Sequence, residues 1–126
     1  MPFQPGSLLN LLVVDDDRET RLALRQYLES AVEGAVIELA AYGAEAIRKM
    51  ESAPVDVLIT DEDMPGMRGT QLVEWARQRH PDVRCLVMSV EADEAFQERH
   101  AALGIRVFRK PFTDRDLVAL VDAVRA

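Results

Sequence analysis

The chain has a single cysteine, Cys85, among its 126 residues. One thiol builds neither a disulfide framework nor a CxxC metal clamp. Positive charge is also scarce: 15 Lys and Arg stand against 22 Asp and Glu, for a net charge of −7. Nucleic-acid and anionic-membrane surfaces need a basic face, so direct binding of either is not expected. No apolar run approaches the ~18 residues of a membrane span. The two histidines, His80 and His100, have no ligand-spaced partners, which argues against a histidine metal site. The opening MPFQPGS has neither the basic nor the apolar region of a signal peptide. We read residues 1–7 as a flexible lead-in and 8–126 as one domain, expected in the cytoplasm.

Two patterns alternate along the chain. Short runs rich in Val, Ile and Leu lie at 8–14, 35–41, 55–60, 83–89 and 105–109, as expected of strands covered on both faces. Helical spacing separates them. Thr20, Leu24, Tyr27, Leu28 and Ala31 form one stripe, and Leu117, Leu120, Val121 and Val124 another. Shorter stripes are Ala44, Ala46, Ile47 and Met50; Leu72, Val73 and Ala76; and Ala95, Phe96, Ala102 and Leu103. Gly34, Gly43 and Gly104 fall at junctions, and Pro54, Pro81 and Pro111 sit just outside helical segments. Thr113, with Asp116 three residues on, suits a helix N-cap. Five strands alternating with five helices predict an α/β fold, a flavodoxin-like three-layer sandwich with a parallel sheet in the order 2-1-3-4-5.

In that order strands 1 and 3 are neighbours, about 4.8 Å apart. Strand 1 ends in Asp15, Asp16 and Asp17, and strand 3 in Asp61, Glu62 and Asp63. Converging carboxylates repel, and some would be pushed to higher pKa. A hard divalent cation such as Mg²⁺, which takes oxygen ligands, relieves that repulsion. Ser89 ends strand 4 and Lys110 follows strand 5. A hydroxyl, an ammonium, a metal and a free carboxylate at one rim suit a phosphoryl group, with a carboxylate as nucleophile.

The segments VVDDD (13–17), DVLITDEDMPGMRG (56–69), LVMS (86–89) and RKPFT (109–113) together resemble the receiver domains of two-component response regulators. The resemblance spans about Leu9 to Ala126. It implies that Asp61 accepts a phosphoryl group from a histidine kinase or phosphotransfer protein. It implies that Asp15 and Asp16 hold Mg²⁺ with Asp61, and that Asp63 adds its backbone carbonyl. It assigns Ser89 and Lys110 to the phosphoryl oxygens, and allows a cis Lys110–Pro111 bond. Such a domain is a switch that assists its own phosphotransfer and dephosphorylation rather than an enzyme with turnover. Its responding surface would be 92–125, carrying Arg99, Arg106, Arg109, Arg115 and Asp122, which can pair two copies of the chain.

Some residues have plainer expected roles. Asp17 is read as a helix N-cap. Glu62 should point away from the pocket, because side chains alternate near a strand end. Cys85 reads as an inert core thiol, Trp75 as partial core, and Met64 and Met67 as loop packing. Three positions depart from the family pattern. Val90 stands where alanine or glycine is usual and should crowd the route to Asp61, slowing phosphorylation and hydrolysis. Val107 replaces a rotating aromatic, and Phe108 cannot stand in for it, because a one-residue shift reverses the face. Asp63 and Glu91 put acids around the phosphoryl site. Two other readings compete. One is a pseudo-receiver that is never phosphorylated. The other is a haloacid-dehalogenase-type Mg²⁺ phosphatase, which shares the Asp61–Asp63 spacing but carries it on its first strand in a longer chain.

Overall fold

The computed structural model describes residues 8–126. The lead-in expected at 1–7 lies outside the described residues. The elements are β1 (Leu9–Val14), α1 (Arg18–Ala31), β2 (Ala35–Ala40), α2 (Gly43–Ser52), β3 (Val57–Asp61), α3 (Gly69–Arg79), β4 (Arg84–Ser89), α4 (Glu94–Ala102), β5 (Arg106–Arg109) and α5 (Asp114–Arg125). The five strands form one sheet in the order β2-β1-β3-β4-β5, with every pair parallel. The expected architecture is the one observed.

Strand alternation divides the interior in two. Leu11 and Val13 of β1, Val57 and Ile59 of β3, and Met88 of β4 join Leu24 and Leu28 of α1 and Leu120 and Val124 of α5. Leu12, Val14, Leu58 and Val87 face the other way, onto Ala46 and Met50 of α2 and Leu72, Val73 and Ala76 of α3. The sheet is thus a middle layer between α1/α5 and α2/α3, with Phe96 of α4 packed against the second core. Strands β1, β3 and β4 are buried on both faces, as expected. The edge strands are not: Val36 and Glu38 of β2 and Arg106 and Arg109 of β5 are exposed. An edge strand has one neighbour and little helix cover, so it need not be apolar throughout.

One expected stripe holds only at Phe96. Ala95, Ala102 and Leu103 were to be the inner face of α4, but all three are exposed. The buried residue of α4 is His100. Two small alanines and a residue at the helix end gain little from burial, and a hydrogen-bonded imidazole takes the inner position instead. Other expectations hold. Asp17 caps α1 by accepting from the Thr20 N–H, and Thr113 and Asp116 cap α5 reciprocally. Cys85 is buried, and burial pushes its thiol up to about 11. Trp75 and Met67 pack at the margin of the second core, and Met64 lies within it.

Candidate functional site

The C-terminal ends of β1, β3, β4 and β5 meet at one rim because the parallel register aligns them. Thr60 pairs with Val14, Asp61 with Met88, and Ser89 with Arg109. The next residue after β1 is Asp15, fully buried, whose N–H donates to the Ala40 carbonyl at 3.1 Å. One Asp15 carboxylate oxygen accepts from the Asp17 N–H at 2.9 Å. The other accepts from Lys110 Nζ at 2.5 Å. Lys110 also lies 3.2 Å from Asp61 Oδ1, so a single ammonium bridges two strand ends. It is aimed by its own N–H, which donates to the Ser89 carbonyl at 2.9 Å, and the Lys110–Pro111 bond is cis.

Asp15, Asp16 and Asp61 each offer a carboxylate oxygen, and the three atoms lie within 4.8 Å of one another. Burial raises Asp61 to about 6, the charge of Asp15 pushes the same way, and Lys110 pulls against both. Burial alone would lower Lys110, but its bonds to Asp15 and the charges of Asp15 and Asp61 more than offset this and hold it protonated. Three crowded hard oxygen donors, with Lys110 paired to two of them, fit a divalent metal of the Mg²⁺ class. The Asp63 carboxylate stands apart from this group. It contacts Arg68 Nη2 at 3.4 Å and accepts from Ser89 Oγ at 3.4 Å. Ser89 is fully buried and its hydroxyl also accepts from the Glu91 N–H at 3.1 Å.

Glu62 bonds to the α3 side rather than to Asp15, Asp16 or Asp61, and does not face solvent. It is buried, and its Oε1 accepts from both the N–H and the hydroxyl of Thr70 at 2.7 Å each. It therefore caps the start of α3 with a carboxylate, where the helix dipole favours negative charge. Gly69, the first residue of that helix, presses on the end of β3. A Cβ there would sit 2.2 Å from the Asp61 carbonyl oxygen. Neither role of these residues had a spacing signal, since each depends on a contact across a loop. Val90 is more than half exposed and lines an apolar groove of about 440 Å³ with Tyr27, Lys110 and Phe112. Val107 packs toward α4, and Phe108 lies in the core on the opposite face, so no aromatic occupies the Val107 position.

A family model for the response regulator receiver domain matches residues 11–122. The transcriptional regulator NtrC of Escherichia coli is 34% identical over 113 residues, 87% of this chain and 23% of NtrC. The response regulator MprA of Mycobacterium ulcerans is 34% identical over 119 residues, 92% of this chain and 50% of MprA. The chain thus spans a quarter to a half of the length of these curated relatives. Among solved structures, the chemotaxis response regulator CheY4 of Vibrio cholerae aligns with a TM-score of 0.80 at 29% identity, over 93% of this chain and 98% of that one. No described helix is long and apolar enough to cross a membrane. The chain belongs to the receiver domain family of two-component response regulators.

Proposed function

We propose that this domain is a phosphorylation switch in which Asp61 accepts a phosphoryl group from a phosphohistidine on a histidine kinase or phosphotransfer protein in the cytoplasm. The observation that carries this reading is the joint placement of Asp15, Asp16 and Asp61 with Lys110 bridging two of them. A carboxylate oxygen of Asp61 attacks phosphorus, the donor P–N bond breaks, and the imidazole leaving group takes a proton. The product is an acyl phosphate on Asp61. Asp61 must be ionised to attack; its proton leaves at about pH 6, so it is a nucleophile at neutral pH.

Asp15, Asp16, Asp61 and the carbonyl of Asp63 would hold Mg²⁺, which supplies positive charge against the carboxylates and the incoming phosphoryl oxygens. Lys110 transfers its second contact from Asp61 to a phosphoryl oxygen while Asp15 keeps hold of it. Ser89 exchanges Asp63 for another phosphoryl oxygen. Hydrolysis returns each contact to its resting partner. The surface 92–125 exposes Arg99, Arg106, Arg109, Arg115 and Asp122, a mixed-charge face on which a response, or pairing of two copies, can be displayed.

The test is intact mass after a small phosphodonor and Mg²⁺, for the wild type and Asp61→Asn. The wild type should gain one phosphoryl group and the variant none. Equal gain by both would put the acceptor elsewhere. No gain by the wild type, together with no Mg²⁺ effect on its stability, would favour the pseudo-receiver. Steady turnover of a phosphomonoester would favour the phosphatase.

A further inference from the structure

The loss of the usual aromatic at Val107 leaves open how loading of Asp61 reaches α4. A second route is built into the α3–α4 side. Ser89 donates to Asp63. Arg68 is shared between Asp63 Oδ1 at 3.4 Å and Glu62 Oε2 at 3.3 Å. Glu62 accepts from Thr70 Oγ1, and Thr70 Oγ1 lies 3.1 Å from His100 Nε2. On α4 the His100 ring bonds the Phe96 carbonyl through Nδ1 at 2.8 Å and stacks on the Phe96 ring at 4.0 Å. Glu62 and His100 are both buried, and all six side chains of this route border one polar cleft of about 520 Å³.

Counting protons makes Thr70 the pivot. A carbonyl only accepts, so Nδ1–H must donate to Phe96. In the neutral ring Nε2 is then an acceptor. The Thr70 hydroxyl has one proton and two acceptors, Glu62 Oε1 and His100 Nε2. At rest it leans to Glu62, at 2.7 Å against 3.1 Å to His100, and the other donors on Glu62 set how far.

We propose that the Glu62–Thr70–His100 contact is the element through which phosphorylation of Asp61 reaches α4, in place of aromatic rotation at the Val107 position. The inference rests on the reading that Asp61 is the acceptor. On loading, Ser89 leaves Asp63 for the phosphoryl group. Asp63, short of a donor, draws Arg68 fully to itself. Glu62 loses its cation and pulls the Thr70 hydroxyl, its remaining side-chain donor, closer. The 3.1 Å contact from Thr70 to His100 Nε2 then opens, and α4 is held to α3 by one contact fewer. No covalent bond changes in this chain of events; only hydrogen-bond partners do. Thr70 and His100 act by positioning and touch neither the phosphoryl group nor the metal residues.

Amide hydrogen exchange of the α4 segment, read with and without acetyl phosphate and Mg²⁺, tests this, with intact mass on the same samples. In the wild type, exchange of 94–102 should rise about threefold on phosphorylation. Thr70→Ser keeps a hydroxyl and should keep that response. Thr70→Val should gain the phosphoryl group to the same extent but start with fast α4 exchange and show no further rise. A merely structural role would raise both states together and preserve their ratio. If Thr70→Val does not fold, His100→Phe, which retains the stack on Phe96, is read instead with the same expectation. Val107→Ala should leave the response unchanged. A loaded wild type with static α4, or a Thr70→Val response equal to that of the wild type, overturns the inference alone. A wild type that gains no phosphoryl group at Asp61 overturns the acceptor reading and the inference together.

Discussion

Helices α1 and α5 on one side of the sheet and α4 on the other are held by different forces. On the α1/α5 side, Leu24, Leu28, Leu120 and Val124 are buried among strand residues of the same kind. On the other side, α4 buries one residue, His100, and that residue is tied by hydrogen bonds to Thr70 and Phe96. Apolar burial is non-directional and falls off gradually when a helix shifts. A hydrogen bond is lost within a few tenths of an ångström. A helix held by such bonds can therefore have two discrete positions, while α1 and α5 serve as the rigid wall against which they are read.

The comparison can be broken most severely at Leu28, which is fully buried. Leu28→Ala should cost about 3 kcal/mol of unfolding free energy in denaturant melts. His100→Phe should cost ~1 kcal/mol. Equal costs would end the contrast between the two sides. Next is Gly69→Ala on the α3 side. Its added Cβ collides with the Asp61 backbone, so we expect a loss of ~2 kcal/mol together with slower loading of Asp61. Wild-type stability and loading rate in this variant would show that α3 can move away freely.

The seam between the two sides is Asp61, and pH probes it. Its ordinary value is 3.8 and its folded value about 6. Between those values the folded state binds more protons than the unfolded state. The stability from protonated Asp61 is therefore fully present below about pH 4 and lost as pH rises through about 6, at most about 3 kcal/mol. Asp61→Asn should flatten this slope, and Mg²⁺ at neutral pH should raise the melting temperature of the wild type more than that of the variant. A wild-type profile that climbs from pH 4 to pH 7 would contradict the burial argument. The smallest effect is expected at Val90, which borders the groove beside Lys110. Val90→Ala should speed phosphorylation and dephosphorylation about threefold, less than 1 kcal/mol in barrier. Unchanged rates would show that the groove wall does not limit access.

Much of the candidate site is legible in the sequence. Asp15, Asp16, Asp61, Ser89 and Lys110 each follow or end a strand, and the strand order brings such positions to one rim. Asp17 and Thr113 were readable as caps because a cap and its partner are three residues apart. The burial of Glu62 was not, because alternation along a strand tells direction and not what awaits there. The inner face of α4 was misjudged for a related reason. Ala95, Ala102 and Leu103 have the right period but little area to bury, and nothing near His100 in the chain announces Thr70, thirty residues away.

By itself, the order of apolar runs and polar punctuation determined the layers, the sheet order and the rim where the acids collect, because periodicity and parallel pairing are local or nearly so. Tertiary structure alone decided that Lys110 spans Asp15 and Asp61, that Gly69 leans on the Asp61 carbonyl, and that Thr70 stands between Glu62 and His100. Those contacts join residues with no fixed spacing, and only the packing of α3 and β5 against their neighbours sets the few ångströms on which each depends.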